Sequence, residues 1–276
     1  MRPSRILNKA RNGEPALISA LHFREPQVYE LYSLMGFDGI WMDLEHHPTS
    51  LEKADELMRA ARVGVSDIVA RPARWEYMRM GRMLEAGAQG ILYPRCESAE
   101  EAAEVVKWAK FYPLGERGQD AGNPDNPYCC APTDEYVRFA NEQTFIAIQL
   151  ESPRAMEQAE AIAAVEGVDF LFFGPGDFSV LIGKPGQVQT PEADKALKRI
   201  AKAADNAGKW WATVSFGPEH ARELLDRGCM LTTRGADLLW MRDGMAKVQE
   251  EYGALGFTFD PRVGPGASYL QGDAAR

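Results

Sequence analysis

Residues 168–179 read Val168-Asp169-Phe170-Leu171-Phe172-Phe173-Gly174-Pro175-Gly176-Asp177-Phe178-Ser179. The first half is almost continuously apolar, as in a strand buried on both faces of a parallel sheet. It breaks into Gly174-Pro175-Gly176-Asp177. Glycines there permit close backbone approach to a ligand, and N–H groups ahead of a following helix suit an anion. One strand-and-helix unit earlier, Phe145-Ile146-Ala147-Ile148-Gln149-Leu150-Glu151-Ser152 is another apolar run closing on a carboxylate. Two adjacent parallel strands that each end in an acid set Glu151 and Asp177 side by side at one rim. Such an oxygen pair suits a hard divalent cation such as Mg²⁺ or Mn²⁺. Either carboxylate alone also reads as a helix cap. Their pairing on neighbouring strands favours the metal.

Working outward, the same alternation covers the chain. Strands are expected at Ala16 to Leu21, Gly39 to Asp43, Asp67 to Ala70, Gly90 to Pro94, Trp210 to Val214 and Met230 to Thr233, besides the two above. Helices are expected from Pro26 to Met35, Leu51 to Arg62, Trp75 to Glu85, after Ser98 through Lys110, from Asp134 to Asn141, Pro191 to Gly208 and Ala236 to Tyr252. A short stretch from Ile6 to Gly13 reads as a helix plugging one end. Most strand starts fall roughly 20–30 residues apart, the spacing of a (β/α)₈ TIM barrel. The rival, a doubly wound open sheet, lacks its GxGxxG after the first strand. The reading is a single domain over 1–276, with the barrel at about 14–253. Residues 111–132, rich in Gly and Pro, are too long for a simple connector and read as a lid or assembly loop. The tail 254–276 turns Gly/Pro-rich from Pro261 and reads as an arm or as disordered.

Net charge is −9, from 31 basic and 40 acidic residues, which argues against a general nucleic-acid or anionic-membrane binder. The four cysteines, Cys96, Cys129, Cys130 and Cys229, form no CxxC pair and indicate a reducing compartment. No apolar run approaches the roughly 18 residues of a membrane span. The chain reads as cytoplasmic.

Barrel chemistry sits at the C-terminal ends of strands. Those ends carry His22, Asp43, Glu45, His46, His47, Arg71, Pro94-Arg95, Gln149, Glu151, Gly174 to Asp177, Ser215 and Gly235 to Asp237. His46 and His47 are adjacent and point in different directions, so one of them is the expected acid/base. Arg71 suits a carboxylate or an enolate oxygen. None of these ends carries Lys, so no Schiff base is expected. His220 and the vicinal Cys129-Cys130 read as structural.

Several short motifs now agree at once. They are Gly36-Phe37-Asp38-Gly39 with Asp43-Leu44-Glu45-His46, Val69-Ala70-Arg71-Pro72, Gly87-Ala88-Gln89-Gly90, Tyr112 to Gly118, Gln149-Leu150-Glu151 and Gly174 to Ser179. Their order and spacing, over roughly residues 5–250, resemble the HpcH/HpaI family of class II pyruvate aldolases, which includes 4-hydroxy-2-oxoheptanedioate and 2-keto-3-deoxy sugar-acid aldolases. The resemblance implies a barrel whose last helix is swapped between subunits of a homo-oligomer, a trimer of dimers. It implies metal ligation by Glu151 and Asp177, with Mg²⁺, Mn²⁺ or Co²⁺ as cofactor. It places Arg71 and Gln149 at the 2-oxo oxygen and the substrate carboxylate on backbone N–H groups between Gly174 and Asp177. His46 becomes the acid/base, held by neighbouring carboxylates, for which Asp43 and Glu85 are the candidates. Glu85 stands where an Asp is usual, and the loop 119–130 lacks the aromatic and basic pattern of the heptanedioate enzymes. The expected reaction is reversible cleavage of a 4-hydroxy-2-oxo acid to pyruvate and an aldehyde, with no nucleic-acid or membrane partner. The alternatives are oxaloacetate decarboxylation or a related enolate-forming lyase or synthase, and a non-catalytic small-acid binding protein.

Overall fold

The computed structural model describes residues 2–263. Among them, eight strands close into one parallel barrel in sequence order: β1 (Ala16–Leu21), β2 (Gly39–Asp43), β3 (Asp67–Arg71), β4 (Gly90–Tyr93), β5 (Phe145–Leu150), β6 (Phe170–Phe173), β7 (Trp210–Val214) and β8 (Leu231–Ala236). The (β/α)₈ expectation holds, with strand boundaries close to those read from the apolar runs.

Strand parity divides the core in two. Ile18, Trp41, Val69, Leu92, Phe145, Ala147, Phe170, Phe172 and Ala212 fill the barrel interior. Their neighbours Ile40, Met42, Ile68, Ile91, Ile146, Ile148 and Leu171 pack outward against the helices. At Gly90 an added Cβ would meet the Phe145 ring at 2.2 Å, so the glycine makes room for the aromatic that fills the barrel. Helix α1 (Arg5–Arg11) plugs the N-terminal end with buried Ile6, Leu7 and Ala10. Ser4 caps it, and buried Asp67 at the start of β3 accepts from Ser4 Oγ (2.7 Å) and the Ile6 N–H (2.9 Å).

The outer layer contains α2 (Pro26–Leu34), α3 (Leu51–Ala61), α4 (Tyr77–Ala86), α5 (Ala99–Ala109), α6 (Thr133–Gln143), α7 (Pro153–Glu157), α8 (Ala159–Ala163), α9 (Pro175–Leu181), α10 (Pro191–Asn206), α11 (Pro218–Asp226) and α12 (Asp237–Gly253). Ser98 and Thr190 cap α5 and α10 through their side chains. Residues 111–132 are irregular apart from one short turn. They are anchored by Arg117, which donates to Tyr136 Oη and lies over the Phe111 ring, and by Tyr136 donating to Asp125. Of the Gly/Pro-rich tail, residues 264–276 lie outside the described residues. Among the described residues, no helix is long and apolar enough to cross a membrane.

Candidate active site

Parity delivers the site. Inward Phe145 and Ala147 continue to Gln149 and Glu151, inward Trp41 to Asp43, and inward Val69 to Arg71. These three strands thus spend their lower inward positions on core and the inward positions at or just past their ends on chemistry. The result is a cavity of about 320 Å³ at the C-terminal mouth, lined by these residues with His22, His46, His47, Gly174 to Asp177, Ser215 and Arg234. That volume suits a small molecule.

Arg71 organises one side. Its guanidinium grips Asp43 with both arms, Nε to Oδ1 at 3.0 Å and Nη2 to Oδ2 at 2.7 Å. Nε also lies 3.3 Å from Glu45 Oε2, and the group sits 4.7 Å above the Trp41 ring. Burial opposes the Asp43 charge, but Arg71, with the Glu45 N–H and His47, outweighs it and holds the carboxyl below its ordinary value. Burial likewise opposes the charge of Arg71, and Asp43, Glu45 and Glu151 more than restore it. Asp43 also accepts from the backbone N–H of Glu45 (3.0 Å) and of His46 (3.4 Å), which shapes the β2–α3 turn.

The expected carboxylate partners of His46 need revision within one chain. Asp43 meets the His46 backbone, while Nε2 of the ring lies 3.7 Å from Glu45 Oε2. Glu45, named above only as a strand-end residue, therefore links Arg71 to His46. Burial raises its pKa, with Arg71 and His46 opposing and Asp43 and Asp177 adding to the rise. Glu85 lies on α4 outside the cavity lining, in the field of Arg117, Asp120, Arg82 and Asp125. One chain does not bring it to His46. Nor does any residue of 111–132 line the cavity.

Glu151 dominates the opposite side. Its side chain is buried; Oε1 accepts from the Arg95 N–H (2.9 Å) and Oε2 from Gln149 Nε2 (2.6 Å). Burial, then the nearby Asp177 charge, pushes its pKa up to about 8, against the pull of Arg71. Gln149 Oε1 is buried and has no hydrogen-bond partner among the described residues. At Gly174 an added Cβ would meet Glu151 Oε2 at 2.4 Å and Gln149 Nε2 at 2.8 Å, so the backbone presses close against this pair. Two mutually repelling carboxylates beside an orphaned amide oxygen fit a divalent cation, whose charge would offset the repulsion. Among the described residues no three His, Cys, Asp or Glu side chains gather as a ligand cluster. Two carboxylates, with substrate oxygens and water completing the shell, is the habit of Mg²⁺ and its relatives.

Fold and site together define a barrel with an acid-lined, arginine-anchored cleft at its C-terminal mouth. The chain belongs to the HpcH/HpaI aldolase/citrate lyase family, whose model matches residues 21–243. It is 32% identical, over 84% of this chain and 86% of the relative, to a hydroxypyruvate/pyruvate aldolase of Delftia acidovorans. It is 31% identical to a 5-keto-4-deoxy-D-glucarate aldolase of Klebsiella pneumoniae, over 82% of this chain and 88% of the relative. Among solved structures, an HpcH/HpaI aldolase from Desulfitobacterium hafniense superposes with a TM-score of 0.84 at 27% identity, covering 92% of this chain and 98% of that one.

Proposed function

We propose that the protein is a divalent-metal-dependent aldolase that reversibly cleaves a 4-hydroxy-2-oxo acid to pyruvate and an aldehyde. The observation that carries this reading is Glu151: a buried carboxyl raised to about 8, facing Asp177, with Arg71 opposing the rise. A carboxyl left so costly to ionise is matched to a cation. The names of the relatives favour aldol cleavage over a decarboxylating synthase.

Glu151 and Asp177 would hold the ion. When bound, it supplies Lewis-acid stabilisation of negative charge on the 2-oxo oxygen. Arg71 adds fixed positive charge to the same oxygen, pre-oriented by Asp43 and Glu45 so that no reorganisation is needed during reaction. Gln149 stands beside it. The first-turn N–H groups of α9, which have no intrahelical acceptors, receive the substrate carboxylate near Gly176 and Asp177. His46, half-exposed at the mouth beside Glu45, takes the proton of the 4-hydroxyl during cleavage and returns it in the reverse direction. Trp41, Phe172 and Val214 form the apolar floor that limits water.

We also propose a homo-oligomer, a trimer of dimers that exchange α12. Exposed apolar side chains on that helix support it: Trp240, Met241, Met245, Val248 and Tyr252.

The test is metal removal. Chelated protein should lose pyruvate release from a 4-hydroxy-2-oxo acid and recover it with Mg²⁺, Mn²⁺ or Co²⁺. Calorimetry should show one site per chain, lost in Glu151→Gln. Full turnover after chelation would overturn the reading.

A further inference from the structure

His22 and His47 take no part in the work assigned above, yet both line the cavity. His22 follows β1 and His47 follows β2, whereas Glu151 follows β5 and Asp177 follows β6. In a closed ring of eight, β1 lies opposite β5 and β2 opposite β6. The imidazole pair therefore faces the carboxylate pair across the mouth. A substrate whose 2-oxo acid end is held at β5 and β6 sends its far end, the part that leaves as aldehyde, toward the histidines.

Their setting defines what that end can be. The rings stand 4.7 Å apart between centroids, tilted by 55°. Nδ1 of His22 lies 3.5 Å from Asp237 Oδ1. Asp237 is itself fixed by the backbone N–H groups of His22, Phe23 and Leu238. Nδ1 thus faces a carboxylate, and Nε2 is the ring nitrogen left for another partner. Burial holds His47 toward its neutral form; Asp43 opposes this, while His22 and Arg71 add to it. A neutral imidazole offers one N–H donor and one lone pair, the complement of a hydroxyl, which both donates and accepts. An alkyl chain would leave those nitrogens unpaired, which is costly. A carboxylate would meet the negative charges of Asp43 and Asp237 behind the rings.

Resting on the aldolase reading, we infer that His22 and His47 are specificity-determining residues that hold a hydroxyl on the departing aldehyde, selecting hydroxyaldehydes over alkyl and carboxylate-bearing ones. The rival anchor is Arg234, which also lines the cavity and would favour a carboxylate-bearing aldehyde.

A length-matched trio of two-carbon acceptors separates these cases: glycolaldehyde, acetaldehyde and glyoxylate. Each is condensed with pyruvate by the full-length, Mn²⁺-loaded protein. The wild type should prefer glycolaldehyde. His22→Leu and His47→Leu should each lower the glycolaldehyde-to-acetaldehyde ratio of kcat/KM by about 10-fold. His47→Asn, which keeps a donor and an acceptor, should recover part of it. Deuterium exchange at pyruvate C3, which needs no aldehyde, should fall less than condensation with glycolaldehyde, and it reports that the site is assembled. An unchanged ratio in both Leu variants overturns the inference, as does a loss that falls on glyoxylate instead. Loss of C3 exchange in the Leu and Asn variants alike assigns the histidines to the enolate half, and also overturns it. Absence of C3 exchange in the wild type overturns the aldolase reading itself, and this inference with it.

Discussion

Arg71 is buried, yet three carboxylates keep it charged and Trp41 covers one face. A guanidinium fixed this way serves best where negative charge builds during reaction. Arg71→Ala should therefore lower kcat by about 10²–10³. Lys keeps the charge but not the two-armed grip on Asp43, so Arg71→Lys should rescue only part. Cleavage and pyruvate C3 exchange should slow together in both variants; wild-type exchange in Arg71→Ala would remove it from the enolate. Glu151 makes a prediction about stability. Its carboxyl is raised from 4.5 to about 8, so the folded metal-free protein binds this proton more tightly than the unfolded chain does. That contribution is fully present below the unfolded value and is lost as pH rises toward 8. Thermal scans of chelated protein should show Glu151→Gln gaining on the wild type across that window and melting several degrees higher at its top. Parallel melting curves would mean that the repulsion is absent. Glu151 and Arg71 were legible in the sequence because each stands at the end of an apolar strand and parity carries it inward; Asp177, in the first turn of α9, was legible instead from the Gly-Pro-Gly-Asp break after β6. The role of Glu45 was not: neighbours along a turn do not reveal which carboxylate reaches which ring, and Asp43 and Glu85 were the expected partners for an imidazole that Glu45 instead approaches.

Among the elements, the eight strands and the long helices were legible because their hydrophobic periods run for several repeats. The helices α7, α9 and α11 were marked only by their starts and α8 not at all, since five to nine residues show two or three turns at most. A signal was present: α7, α9 and α11 each begin with Pro in the first turn, where its missing N–H is harmless. The junction of β6 and α9 is where backbone and site meet most closely. Gly174 has an ordinary backbone angle (φ −97°), so its requirement is space and not conformation. A methyl group there would push on Glu151 Oε2, on Gln149 Nε2 and, at 2.9 Å, on Glu151 Cβ, all side-chain atoms and none of the main chain. Gly174→Ala should therefore fold, while weakening metal binding by about 10–100-fold through displaced ligand geometry. Calorimetric titration with Mn²⁺, alongside an unchanged circular-dichroism spectrum, checks this. Wild-type affinity would show that the pair is free to give way.

At the scale of the whole molecule, the barrel was readable from strand spacing, while the expected assembly came from the family resemblance alone, because an apolar surface that meets a partner looks in sequence like any amphipathic face. Of the 17 residues of α12, Asp237 and Leu239 are buried, and the helix extends away from β8 with large apolar side chains in solvent. At its base, Leu21, Phe23, Val28, Leu31, Met35, Trp240 and Met241 line an apolar cleft of about 380 Å³. Exposed apolar surface of this kind is costly in a monomer and ordinary in an interface. The chain should therefore elute well above its 30.6 kDa monomer mass in light-scattering chromatography. Met241→Glu with Met245→Glu should shift it toward the monomer, since a charge in a buried contact goes unpaired. Assembly also bears on Glu85, which a single chain holds away from His46. If a neighbouring subunit supplies it, His46→Ala and Glu85→Gln proteins, each weakly active, should regain activity when co-assembled, because some mouths then receive one intact copy of both. Regained activity that disappears in the Met241→Glu/Met245→Glu background would tie the effect to the α12 contact. Mixed oligomers no more active than their parents would confine Glu85 to the polar cluster around Arg117 and Asp125, as a support for residues 111–132.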